Sequence, residues 1–301
     1  MLIRDLLRAK HPVVSFEIFP PKPETPLETV YRAIDGLKGL APDFISVTYG
    51  AAGSSRDRTV EIASAVHNRW GFTALAHLTC MGSTPPEVEK VLEDLEQEGI
   101  TNVLALRGDP RPEGIPADSP FRYASDLIRH VRRGHFRDFS LGAAAYPEGH
   151  PQSPTIEEDI LNLKRKQDEG ADFLITQLFF DNEAFFRFMD KVRGVGVTLP
   201  VLAGIMPVLN ARQIGRIVSL CGASIPPKFA RIISRYEETP DALAEAGIAY
   251  ATEQIVDLLS WGIDGIHLYT MNRPDVAARI MGSISTLRST LVAGQTAPTE
   301  G

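Results

Sequence analysis

Residues 73–109 read TALAHLTCMGSTPPEVEKVLEDLEQEGITNVLALRGD. An apolar run, TALAHLTC at 73–80, leads into a helix signature and then a second apolar run, VLALRGD at 103–109. Thr84 stands where an N-cap belongs, Pro85 takes the first helical position and Glu87 closes a capping box. Val88, Val91, Leu92 and Leu95 recur at i, i+3, i+4 and i+7, and Gly99 stops the helix. Both flanking runs are nearly continuous in apolar residues, the pattern of strands buried on both faces. The stretch therefore reads as one strand–helix–strand unit of a parallel sheet.

The unit repeats outward in both directions. Runs at 13–19 (VVSFEIF), 44–50 (FISVTYG), 140–147 (SLGAAAYP), 173–180 (FLITQLFF), 201–208 (VLAGIMPV) and 265–272 (GIHLYTMN) bring the total to eight. Thr155 and Glu158 form a second capping box before Ile160 and Leu163, with Gly170 as the stop. One polar residue near the end of each run marks the period: Glu17, Thr48, His77, Arg107, Tyr146 and Gln177 are separated by 31, 29, 30, 39 and 31 residues. Pro207 follows Gln177 by 30, and Tyr269 follows Pro207 by 62. That last gap holds two helical patterns, roughly 210–221 and 240–260, with an irregular piece between them and no ninth strand. The reading is an α/β fold, a (β/α)8 TIM barrel with a helical insertion between strands 7 and 8. A doubly wound open sheet is the alternative. Residues 1–290 read as a single barrel, and 291–301, small and polar at the end, as a flexible tail.

Composition narrows the function classes. Of 301 residues, 44% are hydrophobic and 23% charged, which excludes a disordered or collagen-like chain. Lys and Arg number 31 against 38 Asp and Glu, a net charge of −7 that argues against a general nucleic-acid binder. Cys80 and Cys221 lie far apart without a C-x-x-C, so neither a disulfide framework nor a structural zinc site is expected. No signal-peptide pattern and no membrane-length apolar stretch is visible, so the expected setting is the cytoplasm, without a membrane partner. There is no G-x-G-x-x-G after a strand, no P-loop, no H-E-x-x-H and no G-x-S-x-G. The seven histidines include no H-x-H and no i,i+4 pair, and no metal site is expected. A bound nucleotide would be held by barrel loops.

In such barrels the chemistry sits at the C-terminal ends of the strands, where the polar residues of this chain gather. Glu17 lies in SFEIFPP, beside Phe16, Ile18 and Phe19. Burial among such neighbours raises a carboxyl pKa and suits it to proton donation. The same residue could instead face solvent or pair with a lysine. Arg107-Gly108-Asp109 reads either as a strand-end turn with a local ion pair or as a place where backbone approaches a flat ligand. His77, in an otherwise apolar strand, reads as a hydrogen-bonded core group or as a ligand contact. Asp159, Asn162, Arg165 and Lys166 share a helix face that could be merely solvated. Gln177 closes a buried run, and its amide needs partners that a heterocycle edge would supply.

Taken together, the motifs are those of a known family. SFEIFPPK at 15–22, ISVTYGA at 45–51, AHLTC at 76–80 and LALRGDP at 104–110 are followed in order by four more. These are AAYPEGHP at 144–151, LNLKRKQDEGADFLITQLFFD at 161–181, GIMPV at 204–208 and HLYTMNR at 267–273. From about residue 10 to about residue 285 the chain resembles methylenetetrahydrofolate reductase, in its short form with the catalytic barrel alone. The resemblance implies a non-covalent FAD across the barrel mouth. NADH or NADPH reduces it and leaves, and 5,10-methylenetetrahydrofolate then enters the same face to become 5-methyltetrahydrofolate, in one-carbon metabolism and methionine supply. It implies FAD contacts from Thr48, Tyr49, Ala51, His77, Arg107, Gly108, Asp109, Tyr123, Ala124, Tyr146, His150, Asp159, Asn162, Arg165 and Lys166. Folate contacts would come from Gln177, Gln213, Tyr269 and Arg273, the last suited to the glutamate carboxylates. Glu17 would be the general acid that opens the folate five-membered ring, and Asp109 would tune the flavin from its pyrimidine side. Relatives form dimers or tetramers, so a homo-oligomer is expected.

Two positions depart from the family. Ile217 stands where relatives often carry a phenylalanine that packs on the folate, a loss of stacking on the order of 1 kcal/mol. Leu268 replaces an aromatic residue before Tyr269. Two rivals fit the same scaffold: a flavin-dependent barrel oxidoreductase for another one-carbon carrier, and a non-catalytic barrel subunit. Retention of Gln213 and Arg273 argues against the first, and retention of Glu17 against the second.

Overall fold

The structure is a computed structural model that describes residues 1–22, 24–49, 56–109 and 119–296. It begins with helix α1 (Ile3–Ala9), then alternates: β1 (Val13–Ile18), α2 (Glu28–Leu37), β2 (Phe44–Val47), α3 (Arg56–Ser64), β3 (Ala74–Thr79), α4 (Pro85–Gln97) and β4 (Asn102–Leu106). It continues with α5 (Ala124–Arg133), β5 (Ser140–Ala145), α6 (Ile156–Asp168), β6 (Phe173–Thr176), α7 (Asn182–Gly194) and β7 (Val201–Ile205). Three helices, α8 (Ala211–Cys221), α9 (Pro227–Tyr236) and α10 (Pro240–Trp261), precede β8 (Gly265–Tyr269), and α11 (Pro274–Thr296) follows it. All eight strands are parallel and close in sequence order, with β8 paired to β1. This is the expected (β/α)8 barrel, not the open sheet.

Strand alternation sorts the side chains into two populations. Val14, Phe16 and Ile18 of β1, with Ile45, Val47, Ala76, Leu78, Val103 and their counterparts, face outward into the core shared with the helices. Leu268 is among them, so its departure from the family is a packing change between sheet and helices. The inward set is layered. Val13, Phe44, Leu75, Leu104, Phe173 and Leu202 fill the lower half with Ile3 and Leu7 of α1. That helix plugs the N-terminal end: Ile3 N–H donates to Asn102 Oδ1 at 2.8 Å, and Arg4 N–H to Ser140 Oγ at 3.0 Å. Burying Ile3 and Leu7 contributes about 2–3 kcal/mol each. Above this layer the interior turns polar.

The helix punctuation acts as read at Thr84, a full capping box, while Thr155 serves as an N-cap without the return bond from Glu158. Thr84 N–H donates to Glu87 Oε2 at 2.7 Å, and Glu158 N–H to Thr155 Oγ1 at 3.1 Å. The strands are shorter than their apolar runs. FLITQLFF pairs only over 173–176, because Phe179 stacks on Phe185 (4.9 Å between ring centres) while Phe180 joins Met206, Val208, Ile214, Phe229 and Leu243 under the insertion. The insertion also contains one helix more than expected. Pro226-Pro227 breaks the chain only to start α9, which buries Phe229 and Ile233 one turn apart. At the C-terminus α11 runs to Thr296, into the segment read as a tail. Among the described residues no helix is long and apolar enough to cross a membrane.

Candidate active site

Two cavities open at the C-terminal mouth. The larger, about 420 Å³, runs across the ends of β3 to β5, from Tyr49 after β2 to the inner face of α6. Twelve residues of the expected cofactor set line it: Tyr49, Arg107, Gly108, Asp109, Tyr123, Ala124, Tyr146, His150, Asp159, Asn162, Arg165 and Lys166. Thr48 and His77 are not in its lining; Ala51 lies outside the described residues. The second cavity, about 340 Å³, lies over β7, β8 and β1 and is lined by Phe19, Met206–Asn210, Ile214, Ile217, Met271 and Arg273. Ile217 and Arg273 are thus brought together at one pocket. Gln213 belongs to α8, and its side chain lies outside the described residues.

The walls of the larger cleft are built from local chain geometry. Gly108 has φ +88°, a conformation that the residue between Arg107 and Asp109 could not adopt freely with a side chain. Asp159 is buried and ties down the loop after β5, accepting from His150 N–H and Ser153 Oγ, both at 3.0 Å. The Arg107 guanidinium donates to Gln152 Oε1 at 2.6 Å, and Arg165 to Asn162 Oδ1 at 2.6 Å. Lys166 reaches inward and donates to Ala144 O at 2.7 Å, keeping two further N–H bonds for the cleft. Burial brings its pKa down to about 8, against a smaller upward pull from Asp159. His150 meets the Tyr146 ring edge-on at 4.6 Å; burial lowers the imidazole pKa and lifts the phenol to about 12. Tyr123, a large aromatic residue, is 59% exposed on the cleft wall.

Glu17 sits on the inward face of β1. Phe16 and Ile18, its sequence neighbours, face the other way into the helix core, so the apolar surroundings expected from SFEIFPP are not what its carboxylate meets. It meets two imidazoles. His267 Nε2 lies 3.3 Å and His77 Nε2 3.6 Å from Glu17 Oε2. Each ring is tethered from below: His267 Nδ1 to Ser15 Oγ at 2.8 Å, and His77 Nε2 to Ser46 Oγ at 2.7 Å. An ionised carboxylate can only accept, so whenever Glu17 is ionised His267 Nε2 meets it as an N–H donor. Burial drives the His77 pKa down to about 4, despite the Glu17 charge. His267, Ser15 and Ser46 escaped the sequence reading. The signal was the period of two in S15-x-E17 and H267-x-Y269, which puts each pair on one face.

The remaining candidates are individually held. Tyr269 donates its O–H to Thr176 O at 2.9 Å and packs edge-on to His267 at 5.1 Å. Its ring crosses β7 at Gly204, where a Cβ would come within 2.9 Å of it. Burial holds its phenol well above the usual range. Gln177 turns its amide oxygen to Leu178 N–H at 2.9 Å, which leaves its NH2 group as the donor side. Arg273 is bidentate to Asp275, with Nε–Oδ1 2.9 Å and Nη2–Oδ2 2.7 Å.

The layout is a carboxyl group held by imidazoles near the end of β1, with a cation-lined cleft and an apolar pocket carrying one arginine at the barrel mouth. Residues 2–285 match the profile of the family described as methylenetetrahydrofolate reductase. The chain is 37% identical to a 5,10-methylenetetrahydrofolate reductase of Escherichia coli K12 over 267 residues, covering 89% of this chain and 88% of that protein. It is 35% identical to methylenetetrahydrofolate reductase (NADH) 1 of Zea mays over 92% of this chain but 49% of that protein, so it spans about half the length of the plant relatives it matches. A solved structure of an uncharacterized protein from Clostridium thermocellum shares the fold, with TM-score 0.68, 13% identity and coverage of 95% of this chain and 100% of that one. Eight ordered motifs on a closed barrel, together with this identity across nearly its whole length, place the chain in the methylenetetrahydrofolate reductase family.

Proposed function

We propose that the protein reduces 5,10-methylenetetrahydrofolate to 5-methyltetrahydrofolate at the barrel mouth, with FAD in the larger cleft and a nicotinamide nucleotide as electron donor. The observation that carries this reading is Glu17, with its two imidazoles, near the C-terminal end of β1 in a barrel whose mouth carries two cavities of different chemistry.

The cleft residues fit the cofactor. Arg107, Arg165 and Lys166 converge on one cavity, as a diphosphate requires. Gly108 lines the cleft without a side chain, which lets a planar ring approach its backbone, and Tyr123, fixed at the start of α5, leaves an aromatic face exposed there for a ligand to cover. Asp109, exposed on the rim, would set a negative charge beside the ring system. When bound, the flavin supplies hydride exchange between nicotinamide and folate. Among the donors, NADH is favoured here because the plant relatives carry it in their names.

The chain's own residues account for the proton. The methylene carbon is bridged between two nitrogens and cannot accept hydride until one C–N bond breaks. Glu17 delivers its proton to the leaving nitrogen, which opens the ring to an iminium on the other nitrogen. The carboxylate left behind is received by Nε2–H of His267. Gln177 presents amide N–H groups to the heterocycle, and Arg273 takes a glutamate carboxylate at the far end of the second pocket. The test is direct. Purified protein should show the visible spectrum of bound oxidised flavin, bleach with NADH and regain colour with methylenetetrahydrofolate. A protein that takes up no flavin, or that bleaches but is not reoxidised by the folate, refutes the reading.

A further inference from the structure

Arg273 enters the second pocket already fastened along one edge. A guanidinium has two edges that can bind a carboxylate through parallel bonds: Nε with one Nη, and the two terminal Nη atoms. Asp275 occupies the first, at 2.9 and 2.7 Å. Among the described residues no other group bonds the second edge. The backbone beneath is equally constrained. Met271 and Asn272 both take left-handed conformations, φ +53° and +54°, which non-glycine residues seldom adopt in succession. The Asn272 amide grips Phe19 in both directions, donating to its carbonyl at 2.9 Å and accepting from its N–H at 3.1 Å. Arg273 N–H donates to Thr270 O at 2.9 Å, and the Arg273 carbonyl caps the first turn of α11 by accepting from Val276 and Ala277 N–H at 3.2 Å. Asp275 lies in that first turn, where the free N–H groups of the helix favour a carboxylate. It can therefore keep its place whether or not Arg273 has a ligand.

We propose that Asp275 is a positioning residue, which fixes the plane of Arg273 so that its terminal edge faces a carboxylate of the bound folate. The inference rests on the function proposed above. The pocket supports it: Met206, Ile217 and Met271 give an apolar bed that ends at one cation, the match for a ligand whose flat aromatic body ends in an acid. The Arg273–Asp275 pair is more than half exposed, so its contribution lies in alignment before binding rather than in fold stability.

The experiment compares two substrates: 5,10-methylenetetrahydrofolate, and the corresponding methylene derivative of tetrahydropteroate, which lacks the glutamate. Asp275→Ala should raise KM for the first about tenfold and leave kcat within about twofold, as lost alignment of a binding group does. Asp275→Asn, which keeps one acceptor, should fall between parent and Ala. For the second substrate KM should not move. In an Arg273→Ala background Asp275→Ala should add nothing. A KM for the folate that is unchanged or lowered in Asp275→Ala overturns the proposal, since the aspartate would then be idle or a competitor for the guanidinium. An equal rise for both substrates also overturns it and makes Asp275 a support of the loop. A parent enzyme that turns over neither substrate overturns the proposed function, and this inference with it.

Discussion

His267 Nε2 stands 3.3 Å from Glu17 Oε2, while the other nitrogen of the same ring stands 2.8 Å from Ser15 Oγ. A carboxylic acid at this position can give up its proton, and the carboxylate it becomes is then received in place by the ring N–H, with no large movement of charge through the barrel. That relationship separates the two halves of the proposed reaction. Uptake of hydride from a nicotinamide needs no acid; opening the folate ring does. Glu17→Gln keeps the size and hydrogen-bonding reach of the side chain but has no acidic proton. Its bleaching by NADH should stay within about tenfold of the parent, roughly 1.4 kcal/mol of barrier. Its reoxidation by methylenetetrahydrofolate should slow by at least about 100-fold, the lower end of a general-acid contribution. Stopped-flow absorbance measures both, and equal slowing of the two would make Glu17 a structural residue.

Ile217 lines the second pocket, among apolar side chains and near Arg273. A ring in its place should recover stacking on the folate aromatic body, on the order of 1 kcal/mol, or about fivefold in KM. Ile217→Phe should therefore lower the folate KM and leave NADH-dependent bleaching alone. Folate kinetics indifferent to the change would remove the benzoyl portion of the ligand from this wall.

Lys166 links the cleft to pH. Its ammonium ordinarily holds its proton to about 10.5, but burial brings that down to about 8. Below pH 8 the side chain is charged and attracts a diphosphate; above it the charge is lost and affinity falls. Flavin dissociation measured by fluorescence should be flat from pH 6.5 to 7.5 and rise above about 8. Lys166→Arg, charged throughout, should flatten that rise. Replacing Arg165 and Lys166 together with Ala should weaken flavin binding at least about tenfold and leave the apoprotein folded, given charge-assisted bonds of about 1.5–3 kcal/mol. A rise with the same midpoint in Lys166→Arg would assign it to another group.

His77 ties stability to pH in the acid range. In the unfolded chain its imidazole takes a proton near 6.5; in the folded barrel burial delays this to about 4. Between those values the unfolded state binds the proton and the native state does not. The stability contributed by neutral His77 is complete above 6.5 and lost as pH falls toward 4, about 3 kcal/mol in all. Urea unfolding at pH 7 and at pH 4.5 should show a larger loss in the parent than in His77→Gln. Equal losses would mean that the buried imidazole protonates as freely as an exposed one.

What could be read from the chain alone was whatever depends on spacing. The recurring interval from Glu17 to Thr48 to His77 is a property of one strand and one helix, and it needs no knowledge of neighbours. Capping boxes such as Thr84–Glu87 are local for the same reason. The extent of the strands was overread, because apolar character after Thr176 or Ile205 serves the packing of Phe179, Phe180 and Met206 outside the sheet. Helix α1 was missed because seven residues are too few to show a period, and α9 because a double proline signals a break more loudly than a start. Among site residues, those with unusual chemistry for their setting, such as Glu17 and Arg107, announced themselves. Ser15 and Ser46 did not, since a serine in a strand acquires meaning only from the register that puts it under a histidine. Asp275, two residues beyond the last motif, acquires its role only from the fork of Arg273.

The pairing of β1 with β8 means that the barrel's seam joins the two ends of the chain. Glu17 and His267 lie on opposite sides of that seam, 250 residues apart, and so do Phe19 with Asn272 and Asp43 with Arg288. During synthesis Glu17 therefore emerges long before His267, the nearer of its two imidazoles, and β1 waits with an open edge until the eighth strand arrives. A chain halted anywhere before residue 265 would lack both the closing strand and one of the two rings beside Glu17. Closure of the barrel and assembly of the proposed site are thus the same event, and a product cut before β8 is expected to have no partial activity.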